Sequence, residues 1–529
     1  MAFTVLERIN AWLLEACMGV LFVMFKLLSP RQSGQPRKLP PVTNPLLTMS
    51  AMQLAEKIRL REVLSVEVVQ AYIDRIQEIN PLINAMVKDR FSVALQEAAQ
   101  ADRLVVEERG GEEVLKDKLP LLGVPLSVKE AFSLQGMPNS GGLLSRQRVL
   151  ASVDSPPVAY LKRAGAIPLG VTNSSELCMW LESHNHLYGI TNNPYDLERI
   201  PGGSSGGEGS LLGGAGSVIG VGSDIGGSIR MPCFFNGIFG HKTTPGVVSN
   251  EHQYPPSSGL HADYLSTGPM CRYAEDLLPM LRIMAGPNIH KLSLSTEVDL
   301  RKLRIFTVPH DGGSLLVSPV DQQLIHAQRK GSVVEHLEAD LGVRVQEVQL
   351  DGLKYSFQIW NTFMNLPDHE GKPPQPFAEL LGEPGKPARP VWELLKWTVG
   401  RSSHTMAAIG LVLIEMTSSK ASPFVLQLKE QLQKEVEELL GDDGVLLYPS
   451  HPHLAPKHHH PLFTPFNFSY TGILNILGLP VTQCPLGLSE EGLPLGVQLV
   501  AGKSRDRLPL AMALHLEKAF GGWRDPGAS

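Results

Sequence analysis

Serines set in a glycine-dense yet apolar stretch are the residues of this chain best suited to covalent chemistry. The stretch runs from Pro201 to Gly240, PGGSSGGEGSLLGGAGSVIGVGSDIGGSIRMPCFFNGIFG, and holds fourteen of the chain's fifty glycines. Flexible linkers of that glycine content are polar. Here Leu211, Leu212, Val218, Ile219, Val221 and Ile225 are interleaved, which predicts a packed interior. Small residues let another molecule approach the backbone closely, and their N–H groups can point at an anion. That is the environment of a serine attacking a carbonyl, where the hydroxyl must lose its proton to a base and the developing oxyanion must meet donors.

Other readings of the same chain fail on context. Gly202-Gly203-Ser204-Ser205-Gly206 satisfies G-x-S-x-G, but a nucleophile elbow follows a buried strand directly, and Asn192 to Pro201 reads as a polar loop. No G-x-G-x-x-G occurs in the run, and Gly502-Lys503-Ser504 lacks the upstream glycine of a phosphate-binding loop. His451, His453, His458, His459 and His460 look metal-like, but the interspersed prolines predict a surface loop, and serine chemistry needs neither metal nor cofactor. A net charge of −6 with 19% charged residues gives no basic footprint, so no nucleic-acid partner is expected. Five scattered cysteines argue against a disulfide framework.

Three motifs carry a more specific signal: Gly202-Gly203-Ser204-Ser205-Gly206-Gly207, Ser223-Asp224-Ile225-Gly226-Gly227-Ser228-Ile229-Arg230 and Gly237-Ile238-Phe239-Gly240-His241-Lys242. Together they resemble the amidase signature family of serine hydrolases, which uses a Ser-Ser-Lys triad. The resemblance implies Ser228 as nucleophile and site of the acyl-ester intermediate, with Ser204 as the bridging, charge-relay serine 24 residues before it. It also implies Lys129, 75 residues before Ser204 at the end of the apolar segment Leu121–Val128, as general base. The backbone N–H groups of Ile225, Gly226, Gly227 and Ser228 would form the oxyanion hole. Lysine can act as a base only when neutral, so its pKa must fall from about 10.4 to roughly 7–8, a cost of about 4 kcal/mol that apolar burial can impose. Asp224 and Arg230 read as a buried structural pair. Glu130, where the family often has Asp, resembles the fatty-acid amide hydrolase branch, as do Gly136-Met137-Pro138-Asn139-Ser140, Glu176-Leu177-Cys178-Met179-Trp180 and the segment from Thr267 to Asp276.

The elements that must hold these residues are partly readable. The resemblance implies an α/β amidase signature fold, a large mixed β-sheet surrounded by α-helices, over residues 46–529. Ser50 and Ser65 sit as N-caps ahead of helical patterns, the second carrying Ala71, Tyr72, Ile73, Ile76 and Ile79 and ending at Asn80-Pro81. Two apolar strands, Gly478–Pro485 and Gly492–Val500, precede a helix from Leu508 to Phe520. Leu366 to Pro390, with seven prolines, is an irregular insertion.

Residues 1–30 add a second signal. Ile9 to Leu28 is long and apolar enough for a transmembrane helix, Leu28-Ser29-Pro30 is no signal-peptide cleavage site, and a linker at 31–45 would follow. Positive charges beyond the segment outnumber those before it, which puts the catalytic domain on the cytosolic side of an intracellular membrane such as the endoplasmic reticulum or a lipid droplet. Between Val391 and Met416, two helical patterns joined near Gly400-Arg401 carry Trp392, Trp397 and Ile409, residues expected to form an apolar mouth for substrate. The expected activity is hydrolysis of a lipid amide, a primary fatty amide or N-acylethanolamine, to fatty acid and ammonia or amine. Alternatives are another amidase or esterase of the family, an A-type glutamyl-tRNA amidotransferase subunit, and a catalytically silent membrane-bound binding protein. A homodimer is compatible with all of them.

Overall fold

The computed structural model describes residues 38–528 except 109, 258, 330–332, 384 and 418–421. The expected span Ile9–Leu28 lies outside the described residues. Among the described residues no helix is long and apolar enough to cross a membrane.

Alternating side chains on the strands divide the interior into two cores. The strands are β1 (Met86–Asp89), β2 (Pro125–Lys129), β3 (Ile167–Thr172), the short pair β4 (His184–Asn185) and β5 (Gly189–Ile190), β6 (Ile219–Asp224) and β7 (Phe239–Lys242). They continue with β8 (Ser266–Cys271), β9 (Arg304–Thr307), β10 (Val345–Glu347), β11 (Gly444–Tyr448), β12 (Val481–Leu488) and β13 (Pro494–Ala501). Eleven of them form one sheet in the order β1-β3-β2-β6-β8-β7-β12-β13-β11-β9-β10. Val445 and Leu447 of β11 face one core while Leu446 and Tyr448 face the other, the period of two that a strand imposes. Both faces are therefore covered, and the molecule is an α/β fold with a mixed sheet surrounded by helices. β2, β3 and β6 are buried along their whole length and mutually parallel, β2 in the middle, as fully covered parallel strands must be. The sheet thus delivers Lys129 and Asp224 to one edge, at the carboxyl ends of neighbouring parallel strands, where open α/β sheets place their sites.

The local expectations meet the structure unevenly. Ser50 caps the helix Ala51–Arg59 in a capping box with Gln53. Ser65 is instead the first residue of the helix Ser65–Ile83: its hydroxyl donates to the Gly123 carbonyl, and Asp102 accepts from the Ser65 and Val66 N–H groups. That helix also runs past Pro81 to Ile83. A proline in the last turn removes one N–H, and the end is held beyond it by Asn84 in the left-handed region, whose N–H donates to the Asn80 carbonyl. The packed unit begins before residue 46, since Leu39 is buried and the Pro40 carbonyl accepts from Arg75. The two C-terminal strands and the helix Arg507–Phe520 fall where expected. The insertion contains a short helix, Phe377–Leu381, whose first N–H groups donate to the Glu415 carboxylate. The histidine-rich loop is not a surface loop throughout: His451 is buried against the Phe235 ring, and burial pushes its pKa down to about 3. The Cys178, Cys233, Cys271 and Cys484 thiols are free.

Candidate active site

Lys129 ends β2 fully buried, and its Nζ donates to Ser204 Oγ at 2.7 Å and to Ser223 Oγ at 3.2 Å. Burial lowers its pKa from the ordinary lysine value, opposed by Cys178 and by the carboxylates of Asp224 and Glu208. A second fully buried lysine, Lys242 at the end of β7, is pushed down to about 7 by burial, with Arg230 nearby. Its Nζ reaches Ser266 Oγ and the Thr243 carbonyl. Of these two interior amines, Lys129 is the one that meets a serine of the glycine-rich run.

The run folds as loop, helix, strand and loop. Ser205 precedes the helix Gly206–Gly213, and the Ser205 N–H donates to the Ser228 carbonyl at 3.2 Å, joining the two serine motifs directly. The Ser183 hydroxyl donates to the Gly202 carbonyl and accepts from the Gly206 N–H. A Cβ on Gly203 would lie 2.2 Å from the Trp180 carbonyl oxygen, so only glycine fits there. Behind Lys129, Glu208 accepts from Ser127 and Thr172 on β2 and β3, and burial pushes its carboxyl up to about 7. Glu130 accepts from the Ser140 and Gly141 N–H groups and the Ser140 hydroxyl, fixing the chain as it leaves β2.

The loop from Ile225 to Ile229 is pinned peptide by peptide. Trp360 Nε1 donates to the Ile225 carbonyl at 3.0 Å and Thr471 Oγ1 to the Gly226 carbonyl at 2.6 Å. In a trans peptide the C=O and N–H point to opposite sides, so tethering the Ile225 carbonyl turns the Gly226 N–H away from Trp360. The Gly227 N–H donates to Asp224 Oδ1 at 2.8 Å, which takes it out of the expected oxyanion set. Among the described residues the N–H groups of Ile225, Gly226 and Ser228 meet no acceptor. Gly227 has φ +122°, and a Cβ there would lie 2.1 Å from Thr471 Oγ1. Asp224 is held by Arg230 at 2.8 Å, both fully buried. Burial alone would raise its pKa, but the guanidinium keeps the carboxyl well below the usual carboxylate range. Arg230 is satisfied in turn by Asn475, Gln498 and the Thr471 carbonyl, so this pair is the structural one expected from sequence.

Ser204, Ser223, Ile225, Gly226 and Ser228 line a cavity of about 220 Å³. The rest of its lining is mostly apolar, with Phe357, Trp360, Phe466 and Phe468 forming an aromatic cluster and Leu411 and Ile414 adding aliphatic side chains. Trp392, Trp397 and Ile409 do not line it. The helix Pro390–Thr398 leaves Trp392 59% and Trp397 42% exposed, while Ile409 is 1% exposed inside the fold. Leu411, about 200° further round the helix Met406–Thr417, takes the place expected for Ile409.

Two buried carboxylates, Glu176 and Glu182, meet partners that no local sequence pattern predicts. Glu176 accepts from the Thr405 N–H and contacts His404 Nδ1 at 2.7 Å, tying the segment before the helix Met406–Thr417 to the loop that carries Leu177 and Cys178 into the cavity wall. Glu182 is likewise buried against His458 Nδ1 at 2.6 Å, which accounts for part of the histidine-rich loop. Among the described residues that loop does not bring three metal-ligating atoms together.

This fold and this buried serine–lysine site are those of an amidase: the chain belongs to the Amidase family, whose family model matches residues 67–510, and is an amidohydrolase. It is 71% identical over 528 residues to fatty-acid amide hydrolase 2-A of Danio rerio, covering 100% of this chain and 99% of that one. It is 58% identical over 491 residues to fatty-acid amide hydrolase 2 of Homo sapiens, covering 92% of each. A solved structure of a fatty acid amide hydrolase superposes with TM-score 0.70 at 24% identity, covering 96% of this chain and 89% of that one, a likeness of fold.

Proposed function

We propose that this chain is a membrane-anchored serine hydrolase that cleaves fatty-acid amides, primary amides and N-acylethanolamines, through an acyl-enzyme on Ser228. The observation that carries the reading is the buried Lys129–Ser204 hydrogen bond beside a cavity with an apolar, aromatic wall. The names of the two relatives point to fatty-acid amides. Neutral Lys129 accepts the Ser204 proton as Ser204 takes that of Ser228, whose oxygen bonds to the amide carbon. The oxyanion so formed faces the free N–H groups of Ile225, Gly226 and Ser228, each worth about 2.7–4 kcal/mol in such a role. The proton then returns through Ser204 to the amide nitrogen, the C–N bond breaks, and ammonia or amine leaves. Water gives its proton to Lys129 along the same relay and attacks the ester carbon, the bond from that carbon to Ser228 Oγ breaks, the proton returns through Ser204 to Ser228, and the fatty acid leaves.

The cavity wall suits a long acyl chain, since each methylene removed from water contributes about 0.8 kcal/mol. With the purified chain in detergent, kcat/KM for primary amides is expected to rise at least tenfold from an eight-carbon to an eighteen-carbon acyl group. A flat series, or a preference for short polar amides, would assign the enzyme to another branch of the family.

The anchor Ile9–Leu28 and a cytosolic orientation on an intracellular membrane belong to the same proposal. The exposed apolar residues Val391, Trp392, Leu395 and Val399 give the helix Pro390–Thr398 a face suited to the lipid interface, while the next helix lends Leu411 and Ile414 to the cavity. In a protein lacking residues 1–30, Trp392→Asp with Leu395→Asp is expected to weaken liposome binding about tenfold or more and to raise KM for long-chain amides selectively. Unchanged vesicle partitioning would remove this helix from the membrane surface.

A further inference from the structure

On the side of the molecule carrying the C-terminal helix, His336 and Asp340 lie one turn apart on the helix Val333–Leu341 and face His515 of the helix Arg507–Phe520. One ligating atom from each of the three lies within 4.8 Å of the others. The His515 Nε2 to Asp340 Oδ2 separation is 3.4 Å, and His515 Nε2 is buried without a hydrogen-bond partner. The His336 and His515 rings stand 5.4 Å apart, and the Phe520 ring packs edge-on to His336 at 5.6 Å. Tetrahedral zinc with bonds of about 2.0–2.2 Å places neighbouring donor atoms about 3.3–3.5 Å apart. The nitrogen and the carboxylate oxygen therefore stand at a coordination-edge distance while the nitrogen makes no hydrogen bond.

From this juxtaposition we propose a divalent transition-metal site of the zinc class, with His336, Asp340 and His515 as three ligands and water as the fourth. Two imidazoles and one carboxylate are a donor set that zinc accepts, and neither serine of the hydrolytic site takes part. The ion would clasp a helix between β9 and β10 in the chain to the C-terminal helix, two segments 175 residues apart at Asp340 and His515. Its role is structural, linking two elements of the fold.

The test is metal binding by the full chain in detergent after treatment with a chelator, read by the visible spectrum of added Co²⁺ and by competition with Zn²⁺. The wild type is expected to show a four-coordinate Co²⁺ band that one equivalent of Zn²⁺ abolishes, and a thermal midpoint raised by Zn²⁺. Asp340→Asn, an isosteric change at an exposed position, is expected to weaken Zn²⁺ binding about tenfold or more. His336→Ala with His515→Ala is expected to remove the band, and folding of these variants is checked by fluorophosphonate labelling. A band and an affinity unchanged in both variants would place any bound metal away from these three residues and overturn the site. So would a wild type that binds no Co²⁺ at micromolar concentration.

Discussion

Ser228→Ala is expected to lower amide hydrolysis by about 10⁵–10⁶-fold, the order seen when a serine nucleophile is removed from a hydrolase, and to abolish labelling by a fluorophosphonate. The prediction is specific because two other serines stand close by. Ser204 accepts from Lys129, and Ser205 donates its N–H to the Ser228 carbonyl while its own hydroxyl is buried without a partner among the described residues. Ser228 lies in the pinned loop and sits beside N–H groups free to receive an oxyanion. Ser205→Ala should therefore keep its label and most of its rate. A Ser228→Ala enzyme that still labels, with loss of label in Ser205→Ala, would move the nucleophile into the first motif.

What was legible in the sequence was whatever the backbone itself must satisfy. The apolar residues between the glycines of the 201–240 run marked it as interior, and the positions at which a Cβ would collide with Trp180 or Thr471 are glycines of the two serine motifs. Lys129 was reachable through its motif, and the two C-terminal strands through their apolar runs. The failures have a common cause. Ser65, Pro81 and Gly227 are each governed by a group distant in sequence or by the far side of a turn: Asp102 and Gly123 for the first, Asn80 and Asn84 for the second, Asp224 for the third. A one-dimensional pattern records the residue and not its partner. Trp360, Thr471 and Asn475, which orient the nucleophile loop from 135 to 251 residues away, carried no local signal at all. The segment 391–416 holds two helices, as its pattern predicts, but Leu411 and not Ile409 lines the cavity. An apolar helix with little amphipathic contrast does not declare which face it buries, and Ala408 and Val412 against Leu177 decide that in the fold.

Lys129 makes the second large prediction, and its sign follows from burial. A buried ammonium is disfavoured, so the Lys129 pKa lies below that of a free lysine, and the neutral, proton-accepting form grows as pH rises through that lowered value. The rate on amides should climb with pH on the acid side and level off once Lys129 is neutral. Lys129→Met, which keeps the length of the side chain without the amine, is expected to cost about 10²–10⁴-fold on a fatty amide, the range for a positioned acid–base group. Lys129→Arg should fare no better, because a guanidinium stays protonated at every pH used. The loss on the matched methyl ester should be smaller by at least tenfold, since an alkoxide departs with far less help from a proton than an amine does. Both variants can be checked for folding by circular dichroism, because the loss of a fully buried, hydrogen-bonded amine also disturbs Ser204 and Ser223. Were amide and ester to suffer equally, with a wild-type profile flat from about pH 6 to 9, Lys129 would be holding Ser204 in place without carrying its proton, and the base would have to be sought elsewhere in the relay.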